Sequence, residues 1–138
     1  MGLFYSILLS GIKPKNQLER ALLAWLKGRL PLQAYQEVLM SSRVSLIIRG
    51  GEQLTQGGPL RFIELDGLQG NPVFSVFTHP DRARPVQKHL PDSSHMVEMD
   101  FRELLKMVPQ GYGLQLNTGT IFSTELLPQG VEELRMQT

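Results

Sequence analysis

The sequence predicts a single α+β domain: an N-terminal helical hairpin followed by a mixed β-sheet covered by helices. Three observations carry that prediction. Leu18, Ala21, Leu22, Trp25 and Leu26 recur at helical spacing and make one apolar face. From Val44 onward, short β-branched runs alternate with helical stretches, the pattern of a sheet with covering helices. The chain of 138 residues is 41% hydrophobic and 20% charged, enough for one core of ordinary size, and no shift of composition divides it.

Each element has a local reason. Asn16 is placed to cap the first helix, because its short side chain accepts from an amide two or three residues on. Gly28 ends that helix. Pro31 suits the first turn of a second helix, in which Leu32, Tyr35, Val38 and Leu39 form the expected buried stripe. Val44, Leu46, Ile47 and Ile48 read as a strand stopped by Gly50 and Gly51. Residues 50–59 are polar and glycine-rich and read as a flexible loop. Residues 60–65 and 72–77 predict two strands paired as a hairpin around Asp66, Gly67, Gly70 and Asn71. Thr78 is placed to cap a short helix, with Asp81 at its positive end and Pro85 limiting its length. A strand follows at residues 95–98. Asp100 and Glu103 then have capping-box spacing at the head of a helix over 101–108. Residues 113–116 give another strand. Asn117, Thr118 and Gly119 give a turn, since asparagine and glycine tolerate left-handed backbone. Residues 121–126 predict a last strand, and Pro128 opens a closing helix through Val131 and Leu134.

Residues 1–15 stand apart as an apolar extension of the domain at 16–138. Residues 2–12 are nearly uncharged but too short to span a bilayer, which takes about 20 apolar residues. They also lack the charged start and small-residue cleavage site of a signal peptide. Gly2 and Ser6 satisfy a short acylation pattern. A strand or helix packed on the domain, or on a partner, is the plainer reading.

The residues exclude more chemistry than they supply. Cysteine is absent, which removes disulfides, thiolate metal ligands and thiol nucleophiles together and fits a reducing cytoplasm. His79, His89 and His95 show neither H-x-x-x-H nor H-E-x-x-H spacing, so no metal site is expected. No G-x-S-x-G elbow surrounds Ser75, Ser93 or Ser94. Asp66, Asp81, Asp92 and Asp100 fall where turns and caps want them. The glycine pairs at 50–51 and 57–58 lack the lysine of a phosphate loop and the order of a dinucleotide fingerprint. No catalytic set and no cofactor are expected. A net charge of +1 supplies no global field for nucleic acid or an anionic membrane. Arg82, Arg84 and Lys88 form a local basic patch, which reads first as a solvated helix face and second as a contact for an acidic partner.

Three blocks resemble the SseB family of bacterial proteins, in its N-terminal domain. The first is NQLERALLAWLKGRLPLQAYQEVLMSSRVSLII, similar to the family's helix pair running into a strand. The second is NPVFSVFTHPDRA, similar to the family's P-x-F-T-S signature through Pro72, Phe77 and Thr78, with looser spacing. The third is FRELLKMVPQGYGLQLNTGTIFSTELLPQGVEELR, with an L-x-L-N-x-G strand-turn from Leu114 to Gly119. His79 stands where the family often has serine, and Thr118 where it often has proline. Residues 2–14 have no counterpart there, and the second domain of longer members is absent. The resemblance implies a cytoplasmic bacterial protein without catalytic residues to carry over.

The leading expectation is a non-enzymatic module that binds another protein or itself: an adaptor, a secretion-associated protein or a toxin-neutralising protein of the immunity type. The alternative is a small-molecule sensor or enzyme with a pocket beside Phe77, Thr78 and His79 and beside Asn117 and Gly119. Both segments follow strands, where open sheets place ligands. A third reading, nucleic-acid binding through Arg82, Arg84 and Lys88, predicts strong salt dependence.

Overall fold

The computed structural model of the protein describes residues 3–49, 61–62, 64–67, 70–90 and 94–137. The acylation pattern at Gly2 and the glycine-rich loop at 50–59 lie outside them, as do Asp92 and Ser93. Residues of the N-terminal segment form helix α1 (Leu3–Ser10), which carries no charge. Leu9 is fully buried in the main core, and the Tyr5 hydroxyl donates to the Ile121 carbonyl at 2.8 Å. Ile7 and Leu8 face outward, 60% and 41% exposed.

Asn16 caps α2 (Gln17–Leu26) as its chemistry predicts, its Oδ1 accepting from the Glu19 amide at 2.8 Å. Leu18, Ala21, Leu22 and Leu26 are buried, and so are Leu23 and Glu19. Pro31 precedes α3 (Leu32–Met40), which packs against α2 as the expected hairpin. The predicted stripe of α3 is shifted. Leu32, the first helical residue, is 47% exposed, while Tyr35, Leu39 and Met40 are buried.

Strand β1 (Arg43–Arg49) follows at once. Next come β2 (Arg61–Phe62), β3 (Glu64–Asp66) and β4 (Pro72–Val76). Within the strand expected at 60–65, the described residues serve both sheets: β2 pairs with β1, whereas β3 makes the predicted hairpin with β4. The remaining elements are α4 (Pro80–Gln87), β5 (His95–Asp100), α5 (Phe101–Met107), β6 (Gly113–Leu116), β7 (Thr124–Leu126) and α6 (Pro128–Arg135). β7 is shorter than expected because Ile121 and Phe122 belong to the preceding turn.

Among the described residues the strands form two small sheets, ordered β2-β1-β5 and β3-β4-β6-β7. Among the described residues an antiparallel bridge joins them, in which Ser45 and Phe77 exchange two backbone bonds of 2.8 Å. The second sheet is mixed, since β4 and β6 run parallel. The main core gathers Val44 and Leu46 of β1, Phe74 and Val76 of β4, and Leu114 and Leu116 of β6. Buried residues of α2, α3, α5 and α6 pack against them. Ile47 and Phe77 belong to a smaller cluster with Ala83 of α4. Helices therefore cover the sheets in an α+β domain.

Two expected caps differ. The N-cap of α4 is His79 and not Thr78, because the helix begins one residue later at Pro80, and His79 Nδ1 accepts from the Asp81 amide at 3.0 Å. Asp100 occupies the N-cap position of α5 but makes no side-chain cap bond. Its carboxylate lies 3.3 Å from Arg43 across the β1–β5 pair, and Glu103 pairs with Lys106.

Candidate functional site

Strands β4 and β6 end side by side, with Val76 opposite Leu116, so the residues after them meet. The Asn117 amide continues the ladder to the Val76 carbonyl at 2.8 Å. Asn117 then turns into the left-handed region at φ 58°, which asparagine tolerates better than most residues. That turn aims its Oδ1 back at Thr78, whose amide donates to it at 3.0 Å. Thr78 is 1% exposed and Asn117 is fully buried.

Behind Thr78 lies Glu19, a carboxylate with no exposed surface. Its Oε1 accepts from Arg82 Nη2 at 2.8 Å and from the Lys15 amide at 3.0 Å. Its Oε2 accepts from Thr78 Oγ1 at 2.7 Å and from Arg82 Nε at 3.0 Å. Arg82 thus grips the carboxylate with two nitrogens of its fork, the strong geometry for this pair. Its Nη2 also donates to the Lys13 carbonyl at 3.1 Å, and its guanidinium lies 4.9 Å from the centre of the Phe122 ring. Burial pushes the Glu19 carboxyl up, but the bonds from Arg82, Thr78 and Lys15, with the Arg82 charge, outweigh it and hold the group below its ordinary value. Asn16 Nδ2 closes the junction by donating to the Thr78 carbonyl at 2.8 Å. Four donors on one carboxylate leave it little capacity to accept a proton from a substrate. The cluster ties the head of α2 to the ends of β4 and β6.

The sequence-based candidates divide accordingly. Phe77, Thr78, His79 and Asn117 are brought together, and Phe77, Thr78 and Asn117 are buried. A recess of about 280 Å³ beside Thr78 and His79 is walled by Asn16, Ser42, Ser45 and Glu98, not by Asn117 or Gly119. Gly119 is exposed at φ 84°, a conformation an L side chain rarely adopts. The basic patch does not act as one surface. Arg82 turns inward to Glu19, Arg84 pairs with Asp81, and Lys88 stays exposed at the end of α4. Ser75, buried in β4, shares a 2.6 Å hydrogen bond with Thr118. Among the described residues, no group of three or more His, Cys, Asp or Glu side chains could hold a metal ion.

A different feature is open to solvent. Trp25 of α2 and Tyr35 of α3 stack in parallel with ring centres 5.0 Å apart, and beside them runs a groove of about 320 Å³ toward β7 and α6. Its floor is Leu39, Leu116 and Leu134, all nearly fully buried, and Leu32 stands at its rim. Tyr35 is hydrogen-bonded to the Thr124 side chain, while burial pushes its phenol well up. Gly130 lets α6 lie close to β7, since a Cβ there would come within 2.8 Å of Leu126 Cδ1.

Sequence reasoning missed both the buried carboxylate and this groove. Glu19 had a readable signal, three residues after the cap Asn16, the spacing of a capping box. The groove had none, because its walls come from both halves of the chain.

Residues 18–133 match the family model described as the SseB protein N-terminal domain. No curated protein and no solved structure gives a significant match. The matched span runs from the first turn of α2 into α6 and includes every member of the junction described above except Asn16 and the backbone groups of Lys13 and Lys15. The chain belongs to the SseB N-terminal domain family.

Proposed function

We propose that this domain works by binding another protein and does not catalyse a reaction. It acts as an adaptor in the bacterial cytoplasm, with a secretion-associated or toxin-neutralising role among the forms that work takes. The groove beside Trp25 and Tyr35 is the observation that supports this reading. Apolar walls around a concave surface, with aromatic side chains at one end, are what a partner's anchoring residues need. Glu19 does not offer the chemistry of a pH-poised base, since its charge is already held by Arg82 and Thr78.

The test is capture from native bacterial extract, comparing the full chain, a Leu32→Glu variant and a chain lacking residues 2–13. Leu32 is exposed at the groove rim, so a charge there costs little stability. A partner kept by the truncated chain and lost by Leu32→Glu is the expected result. Loss only on truncation moves the surface to α1, where Ile7 and Leu8 are exposed. Capture by none of the three contradicts the binding reading.

A further inference from the structure

The groove does not end at Leu32. Leu32 and Gln36, one turn apart on α3, also border a second recess of about 460 Å³, whose other walls include Glu37. The two hollows differ in chemistry. The first has Trp25 and Leu126 in its walls above a leucine floor, whereas the second is lined mainly by glutamine side chains and the Glu37 carboxylate. Glu37 of α3 and Glu133 of α6 are exposed, and among the described residues neither carboxylate is held in an ion pair. No described lysine or arginine lines either hollow, although the chain holds 14 of them. The face therefore carries a local negative charge that the chain's net charge of +1 conceals.

That pairing of an apolar floor with acidic rims narrows the occupant. Leu32 and Glu37 are separated by about 7.5 Å of rise along α3, so one short segment reaches both hollows. We propose that this face takes a basic, apolar segment of a partner protein. Its large apolar side chains fill the groove over Leu39 and Leu134, and lysine or arginine side chains close by meet Glu37 and Glu133. Gln36 both donates and accepts, which suits it to the segment's backbone. This rests on the protein-binding reading and specifies the partner's chemistry. Nucleic acid and anionic lipid fit badly, because the rims repel them. A second copy docked face to face also fits less well, since it would bring the acidic rims together, and like charges across an interface are unfavourable.

Random peptides of about twelve residues, displayed on phage, test the partner's chemistry. They are selected on the folded chain and counter-selected on Leu32→Glu. The expected winners combine large apolar residues with lysine or arginine close by. Their affinity falls about threefold on Glu133→Gln, as for one exposed charge pair, and about tenfold on the double variant Glu37→Lys with Glu133→Lys. Both glutamates are exposed, so these changes cost little stability. A winner remade with glutamate for its basic residues loses binding to the unaltered chain and regains it on the double variant. Winners that are acidic or uncharged overturn the proposal. So do winners indifferent to both glutamate variants, a selection that enriches nothing, or a stable dimer of this chain that Leu32→Glu dissolves. If native capture still depends on Leu32 while any of these is seen, protein binding stands and only the basic partner falls.

Discussion

Glu19 is a carboxylate on the buried face of α2, and its four donors fix its charge. Held below its ordinary value of 4.5, it binds fewer protons folded than unfolded, so its contribution to stability rises with pH through the acid range. That contribution is complete above the ordinary value and is lost as pH falls through the lower folded one. Glu19→Gln is expected to cost about 3 kcal/mol at pH 7, the lower range for breaking a buried pair, because Arg82 is partly exposed. It should also flatten the loss of stability below about pH 5. Urea unfolding at pH 7 and at pH 3 checks both; an acid slope equal to that of the unaltered chain would sink the assignment. Thr78→Val keeps the shape and removes one donor, so it should cost about 1–2 kcal/mol and move the acid loss to higher pH. Part of this was readable: Asn16 and Glu19 have a recognisable spacing, and Thr78 and Asn117 each stand after a predicted strand. The pairing of Glu19 with Arg82, 63 residues away, exists only once β4 has delivered α4 beside α2.

Elements show the same division between local and distant causes. Asn16 capped α2 as predicted, since a cap bond spans three residues. Thr78 did not cap α4, because its hydroxyl has partners in Glu19 and Asn117 that no local pattern announces. The stretch expected as one strand pairs in two directions, Phe62 with Ile48 of β1 and Glu64 with Phe74 of β4. α1 shows what an apolar segment does when half of it finds a core. Leu9 is buried, and full burial of a leucine contributes about 2–3 kcal/mol. The Tyr5 bond to Ile121 adds about 1 kcal/mol. Deleting residues 2–13 should therefore lower stability by about 3 kcal/mol while unfolding stays cooperative, as a thermal melt would show. A molten or unfolded product would mean that α1 is integral to the core. Leu9→Ala in the full chain should cost about 2–5 kcal/mol, whereas Ile7→Ser, on the exposed side, should change stability by less than about 0.5 kcal/mol.

At the scale of the whole molecule, the ends of the parallel strands, where the alternative reading placed a ligand, hold the side chains of Glu19 from α2 and Arg82 from α4. An apolar groove lies elsewhere, where α2, α3, β7 and α6 leave a gap over Leu116 and Leu134. The order of helices and strands could be read from periodicity, because each element announces itself within about ten residues. The groove could not, because it is a gap between elements distant in the chain. Whether a partner sits in that gap decides how the domain works. Amide hydrogen exchange of the chain, alone and in the complex captured from native extract, tests this most directly. Slower exchange on binding at residues 124–127 and 32–36, with no change at 78–88, is the predicted result. Protection confined to residues 78–88 and 117–119, with residues 124–127 exchanging as fast as in the free chain, would contradict it.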